Sequence, residues 1–160
     1  MINKIKEKIV LNSHNPKDIH HLLKVHSFAT MISNIEVEDQ HVKDLIEIEA
    51  LVHDIACPLC RIKYGNTNGH YQEIESKDLL LEFFKDIPIN DQDLNQIIYV
   101  VSHHHTYTNV KTIDHQILLE ADFLVNSYEM NLDIKEIIDF RNNVFKTNTG
   151  IQLVNSIYNI

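Results

Sequence analysis

Apolar residues recur every three or four positions along nearly the whole chain, and sustained alternation of apolar and polar positions occurs nowhere. Ile2, Ile5 and Ile9 predict a short opening helix. Asn15-Pro16 has the form of a helix cap followed by a first-turn proline. The helix after it carries Ile19, Leu22, Leu23, Val25, Phe28, Ala29 and Ile32 on a broad apolar face. A third helix is expected from about Val42 to Ala56, ending near Cys57-Pro58 because proline disfavours helical geometry in the residue before it. Residues 61–70, RIKYGNTNGH, hold two of the three glycines and read as the one clear internal loop. Helices are expected again over Glu73 to Phe84, Asp91 to about His104 and Ile113 to Glu129, with two shorter segments at about 134–146 and 151–158. So few glycines and prolines leave little room for the tight turns of an all-β fold. The expectation is one compact all-α bundle over residues 1–160, with its core at about 18–128.

Composition changes this picture in a few places. A formal net charge of −9, from 14 basic and 23 acidic side chains, sets the surface against phosphate backbones, so stable nucleic-acid binding is not expected. A small phosphorylated molecule remains compatible, because a bound divalent metal inverts the charge locally. No stretch nears the roughly 18 consecutive apolar residues of a membrane span, and MINKIKEKIV lacks the apolar run of a signal peptide. Two cysteines are too few for a disulfide framework, so a cytoplasmic protein with no membrane partner is expected. Cys57 and Cys60 have CxxC spacing, yet no second such pair and no βαβ pattern accompanies them, and the spacing reads as coincidence. Their place just after the site described next would leave both thiols open to oxidation. The 11 histidines, spread from His14 to His115, are the compositional anomaly.

In ALVHDIA, residues 50–56, His53 and Asp54 are adjacent polar residues inside an apolar helical run. An ionised carboxylate in such a place needs a partner or a metal. Taken alone, the pair reads as readily as a core histidine beside a helix-terminal aspartate. His21, however, falls in an apolar stripe where imidazole packs no better than leucine, and Asp122 interrupts the most hydrophobic part of its helix, QILLEADFLVN. Two imidazoles and two carboxylates from three helices form a facial set with open positions. Such a set suits Fe, Mn, Ni, Co or Zn better than a closed structural zinc site.

The order His21, His53-Asp54, Asp122 resembles the H…HD…D signature of the HD-domain metal-dependent phosphohydrolases. His21-Leu22-Leu23-Lys24-Val25 is similar to that family's H-x-x-R/K-V helix, ALVHDIA to its ALLHDIG, and SHHHTY and LLEADFLVN to its later segments. The resemblance covers about residues 18 to 128 and departs at Ala56, where many members have glycine. No GYP motif follows the histidine run, which argues against the branch that cleaves cyclic dinucleotides. The resemblance implies a helical HD domain with His21, His53, Asp54 and Asp122 as metal ligands. It also implies a second metal in some members, bridged by the residue matching Asp54 and held by two further histidines. His70 is the candidate for the first of these. The second comes from His103, His104 or His105, with His104 favoured because it lies one helical turn after the core-facing Val101.

The resemblance further implies hydrolysis of a nucleotide or other small phosphate ester, as a phosphomonoesterase or phosphodiesterase, by a metal-activated water. Asp54 and His104 are the catalytic candidates, with one or two divalent transition ions. Arg61 and Lys63, in the expected loop, and then His103 and His105, are candidates to contact substrate phosphate, with Lys24 ranked below them. His14, His20, His26, His41 and His115 receive no role. Two alternatives share the scaffold: a non-catalytic HD-type binding or signalling module, and a di-iron oxygenase using the same ligands.

Overall fold

Helix α7 (Ile113–Glu129) explains the architecture, because every residue from Asp114 to Val125 is buried. A helix covered on all sides must be the axis of a bundle. The computed structural model describes residues 1–160, and its order is α1 (Ile2–Asn12), α2 (Pro16–Glu36), α3 (Gln40–Val52), α4 (Cys57–Tyr64), α5 (Gly69–Phe84), α6 (Asp91–Val101), α7, α8 (Ile134–Val144) and α9 (Asn148–Tyr158). There are no strands. Helices α2, α3 and α7 pack on one another, α1 and α6 close over α3, and α9 closes over α2 and α7. One apolar cluster joins Val25, Ala29, Ile46, Ile117 and Ala121 to the α8–α9 end; another joins Ile5, Leu51, Leu80 and Ile97 on the other side of α3. Each fully buried Leu or Ile contributes about 1.5–3 kcal/mol. No helix is long and apolar enough to cross a membrane.

Local chemistry sets the ends. The Asn15 side chain accepts from Lys17 N at 3.0 Å, and Pro16 occupies the first turn of α2. At α8, Asp133 and Glu136 form a reciprocal capping box. Buried Glu120 ties the α8–α9 turn to α7, accepting from Gln116 Nε2 at 2.7 Å, Lys146 N at 2.7 Å, Thr147 N at 3.0 Å and the Thr147 hydroxyl.

The main departure from the sequence expectation lies between α3 and α5, with smaller ones at the start of α5 (Gly69, not Glu73), the end of α6 (Val101, not about His104) and the start of α9 (Asn148, not about 151). Helix α3 ends at Val52 rather than near Ala56, and a turn over residues 53–56 separates it from α4. Pro58 does not close a helix here but sits in the first turn of a new one, where its missing N–H costs nothing. Consequently Arg61 and Lys63 lie on α4, and the loop shrinks to 65–68 between Gly65 and the start of α5. Gly65 closes α4 in the left-handed region, φ 71°.

One buried acid bears on stability rather than on the site. Glu49 is fully buried, and neither carboxylate oxygen meets a donor. Burial first, then the charge of Asp114, push its pKa well above the ordinary carboxylate range. Held protonated, Glu49 places no second buried negative charge beside Asp114. Below about pH 4.5 the unfolded chain is protonated too, so folding gains or loses nothing there. Above that, only the unfolded chain releases the proton, and stability falls by about 1.4 kcal/mol per pH unit until the folded-state pKa is reached. Glu49→Gln removes this slope. Its thermal midpoint should exceed that of the unsubstituted protein at about pH 8 and lose the advantage near pH 4.5. Parallel curves across that range would mean that Glu49 folds ionised.

Candidate metal centre

The break after α3 builds the site. His53 caps that helix with αR backbone, and Asp54 opens the turn, so adjacent side chains reach the same region from a helix end. The His53 ring is fully buried, with Nδ1 2.9 Å from the Ala50 carbonyl. His104, beyond the end of α6, repeats the pattern with Nδ1 2.7 Å from the Val101 carbonyl. Donation from Nδ1–H to a carbonyl leaves the Nε2 lone pair of each ring directed inward. On α2, His21 Nδ1 lies 3.1 Å from Glu129 Oε2, and that carboxylate also pairs with Lys24.

The inward atoms converge. His21 Nε2 lies 3.2 Å from His53 Nε2, 3.2 Å from Asp122 Oδ1 and 3.5 Å from Asp54 Oδ2. His53 Nε2 lies 3.5 Å from Asp122 Oδ1 and 3.8 Å from Asp54 Oδ1. Ligands about 2.1 Å from one ion at tetrahedral or octahedral angles stand about 3.0–3.4 Å apart, so these donors fit a divalent transition ion after small adjustments. A second group gathers Asp54, His104 and His105, again with ligand atoms within 4.8 Å of one another. His104 Nε2 lies 3.6 Å from Asp54 Oδ1, and the Nε2 atoms of His104 and His105 are buried without any hydrogen-bond partner. Asp54 belongs to both groups.

The charges explain the protonation pattern. Burial works to lower the pKa of His21, but the hydrogen bond to Asp122 and the charges of Asp54 and Asp122 outweigh it and raise it to about 9. Burial would raise Asp54 and Asp122, yet the surrounding imidazoles hold both well below the ordinary carboxylate range. His104 is raised by Asp54 against its own burial. His105, pushed down to about 4 by burial and by His104, remains a neutral imidazole able to ligate. Two ionised carboxylates among imidazole nitrogens make a donor set that could hold a cation.

Beside it opens a cleft of about 280 Å³ lined by His21, Asp54, Lys17, Asp18, Arg61 and Glu129, among others. Arg61 pairs with Asp18 at this cleft. Of the residues expected from the sequence, His21, His53, Asp54, Asp122 and His104 come together, and Arg61 stands at the opening. His70 does not join them. It lies on the exposed face at the start of α5, its ring beside Tyr71, and belongs to neither donor group. His105, expected as a phosphate contact, offers a ligand atom to the second group instead. Lys63 pairs with Glu75 and lies outside the cleft. His103 stacks on Tyr99, with its Nδ1 2.7 Å from the Tyr99 carbonyl, and is in neither group. Cys57 and Cys60 are both buried, and burial raises both thiols, which opposes the expected oxidation.

Several contributors escaped the sequence reading: Glu129, Asn126, Asp18 and Glu73. Three of them carried a helical signal, since Asp18 precedes His21 by one turn, while Asn126 and Glu129 follow Asp122 by one and two turns. Asn126 donates to Asp122 Oδ1 at 2.8 Å. Glu73, on α5, accepts from His105 N at 3.3 Å and carried no such signal. No family model, no curated protein and no solved structure matches the chain.

Gly69 gives a handle on the second group alone. A Cβ there would stand 2.5 Å from His105 Cγ, so the ring must move. Gly69→Ala should shift the His105 ring resonances in NMR while those of His21 and His53 stay in place. In a cobalt titration the stronger binding step should survive and the weaker one should be lost. If both steps weaken equally, the two groups do not act as separate positions.

Proposed function

We propose that the chain is an HD-domain metal-dependent phosphohydrolase acting on a nucleotide or another small phosphate ester. The observation that carries this reading is the convergence of His21, His53, Asp54 and Asp122 on one point, from α2, the α3–α4 turn and α7, with the other ring nitrogens of His21 and His53 held by Glu129 and the Ala50 carbonyl. The order of these residues along the chain is the order that the family resemblance requires. A non-catalytic module on the same scaffold has no need of a complete ligand set, and here the set is complete.

One or two divalent ions held by His21, His53, Asp54 and Asp122, with His104 and His105 on the far side of Asp54, would supply a Lewis acid for the phosphoryl oxygens and an acidified water. The chain's own groups do the rest. Asp54, kept ionised by its imidazole neighbours, accepts a hydrogen bond from the attacking water and orients it. Arg61, positioned by Asp18, and Lys17 on the same cleft offer N–H donors to phosphoryl oxygens. Glu129 fixes the ring of His21, so its part is positioning. Burial of the imidazoles excludes water from the side opposite the cleft and strengthens each of these charges.

The test is metal content and hydrolysis together. Protein stripped with a chelator and reloaded with Mn, Co, Ni or Fe should hydrolyse p-nitrophenyl phosphate or its bis-ester, or release phosphate from a nucleotide panel. Asp54→Ala should abolish metal binding and activity at once. Glu129→Gln should weaken metal affinity by about 10–100-fold while leaving the ligands present. Absence of bound transition metal and of activity with all four ions would sink the enzyme reading. Iron-specific, O₂-dependent turnover would instead support the oxygenase alternative, which the sharing of Asp54 between two donor groups also accommodates.

A further inference from the structure

A second cleft adjoins the first and is of opposite character. It is lined by Ile9, Leu22, Leu51, Val52, Ile55 and Phe83, contributed by four helices and the α3–α4 turn, and encloses about 140 Å³. Asp18 and Asp54 line both clefts, so the apolar one begins where the metal-facing one ends. Its few polar groups include Asn12 and Ser13, at the end of α1. The Ser13 hydroxyl is buried and has no hydrogen-bond partner. An unpaired buried hydroxyl costs about 1–3 kcal/mol, a cost that a ligand group able to bond it would remove.

Resting on the phosphohydrolase reading above, we propose that this cleft receives the alcohol part of the ester and is specific for a single six-membered ring bearing one hydrogen-bonding group. Size and chemistry both point there. A cavity of about 150 Å³ lined by Leu, Ile and Phe holds one benzene, so the space of about 140 Å³ here matches one ring better than a fused pair. Ligand sites combine apolar walls with a few placed polar groups, and Ser13 supplies one such group here. Two spaces of low polarity adjoin the donors: a larger one of about 300 Å³ beside Asp122, lined by Tyr107, Phe123 and Phe140, and this one, which alone borders Asp54 and Asp18 next to Arg61 and carries the unpaired Ser13 hydroxyl. In the reaction the water oxygen bonds to phosphorus as the ester P–O bond breaks. One water proton leaves on the alcohol, and the other stays on the phosphate.

The ring has two chemical sources, a phenol-type ester or the pyrimidine of a nucleotide, and substrates separate them. The unsubstituted protein, Ser13→Phe, which fills the cleft, and Phe83→Ala, which enlarges it, are compared. Neither Ser13 nor Phe83 belongs to a donor group or lines the phosphate-side cleft. Phenol alone should bind saturably, moving the amide resonances of Ser13 and Leu51, and Ser13→Phe should abolish that binding while keeping its thermal transition. With metal present, kcat/KM for phenyl phosphate or for a pyrimidine nucleoside monophosphate should exceed that for methyl phosphate by at least tenfold. Ser13→Phe should erase this ratio and leave methyl phosphate unchanged, while Phe83→Ala should shift preference toward naphthyl phosphate. Phenol that does not bind, a preference that survives Ser13→Phe, or a purine nucleotide preferred over both single-ring substrates would each overturn the proposal. Phenol bound as expected without hydrolysis under any metal would uphold the ring site and remove the phosphohydrolase reading, so the two failures are distinguishable.

Discussion

Two carboxylates, Asp54 and Asp122, are brought into contact with the same pair of imidazoles inside a helical core, and the surroundings are arranged around their charge. An unpaired buried carboxylate is too costly to survive folding. His21 and His53 lie at 3.2–3.8 Å from them, and His104 adds a third buried ring 3.6 Å from Asp54 Oδ1. Each imidazole then needs its other nitrogen held, which explains the carbonyls of Ala50 and Val101 and the carboxylate of Glu129. The raised pKa of His21 follows from the same excess of negative charge, with a proton serving where a metal cation would fit better.

Helix α7 concentrates this problem and solves it position by position. It is buried along most of its length yet carries Asp114, Glu120, Asp122 and Glu129. Asp114 helps keep Glu49 protonated and accepts from Gln96; Glu120 is satisfied by Gln116 and Thr147. Glu129 is balanced by Lys24 and His21. Only Asp122 has imidazoles as its principal partners, and only there does the balance leave nitrogen lone pairs directed at a common point. The metal-ready character of the site is thus a local difference among four acids that the same helix presents.

The helices were legible because periodicity at 3.6 is a backbone property repeated over many residues, and α7 matches its expected limits. Ligands falling on apolar faces, such as His21 and Asp122, were legible for the same reason. The turn at 53–56 was not, since Pro58 is compatible both with ending a helix and with opening one, and only packing of α4 on α5 decides. That choice moved Arg61 and Lys63 from a loop to a helix, and the helix sends one to Asp18 and the other to Glu75. His70 and His105 were indistinguishable as isolated histidines. What separates them is Gly69, whose missing side chain lets His105 lie against α5 while the ring of its neighbour His70 stays exposed.

The shared lining of the two clefts carries the synthesis one step further. Asp18 pairs with Arg61 on the polar side and also borders the apolar side, so on the proposed reading it marks the line between phosphoryl group and alcohol. A protein with net charge −9 gains little from long-range attraction of an anionic substrate. If the chain acts on such a substrate, as proposed, selectivity must come from short-range groups, namely a cation held by the buried carboxylates, the Arg61 fork and the apolar walls beyond Asp54. Binding energy taken from a non-reacting ring in those walls can then hold the phosphoryl group against the metal donors, which is how remote contacts are turned into rate. On this view the break after Val52 serves both halves at once. It turns His53 and Asp54 toward the ion, and it leaves Leu51, Val52 and Ile55 facing the ring.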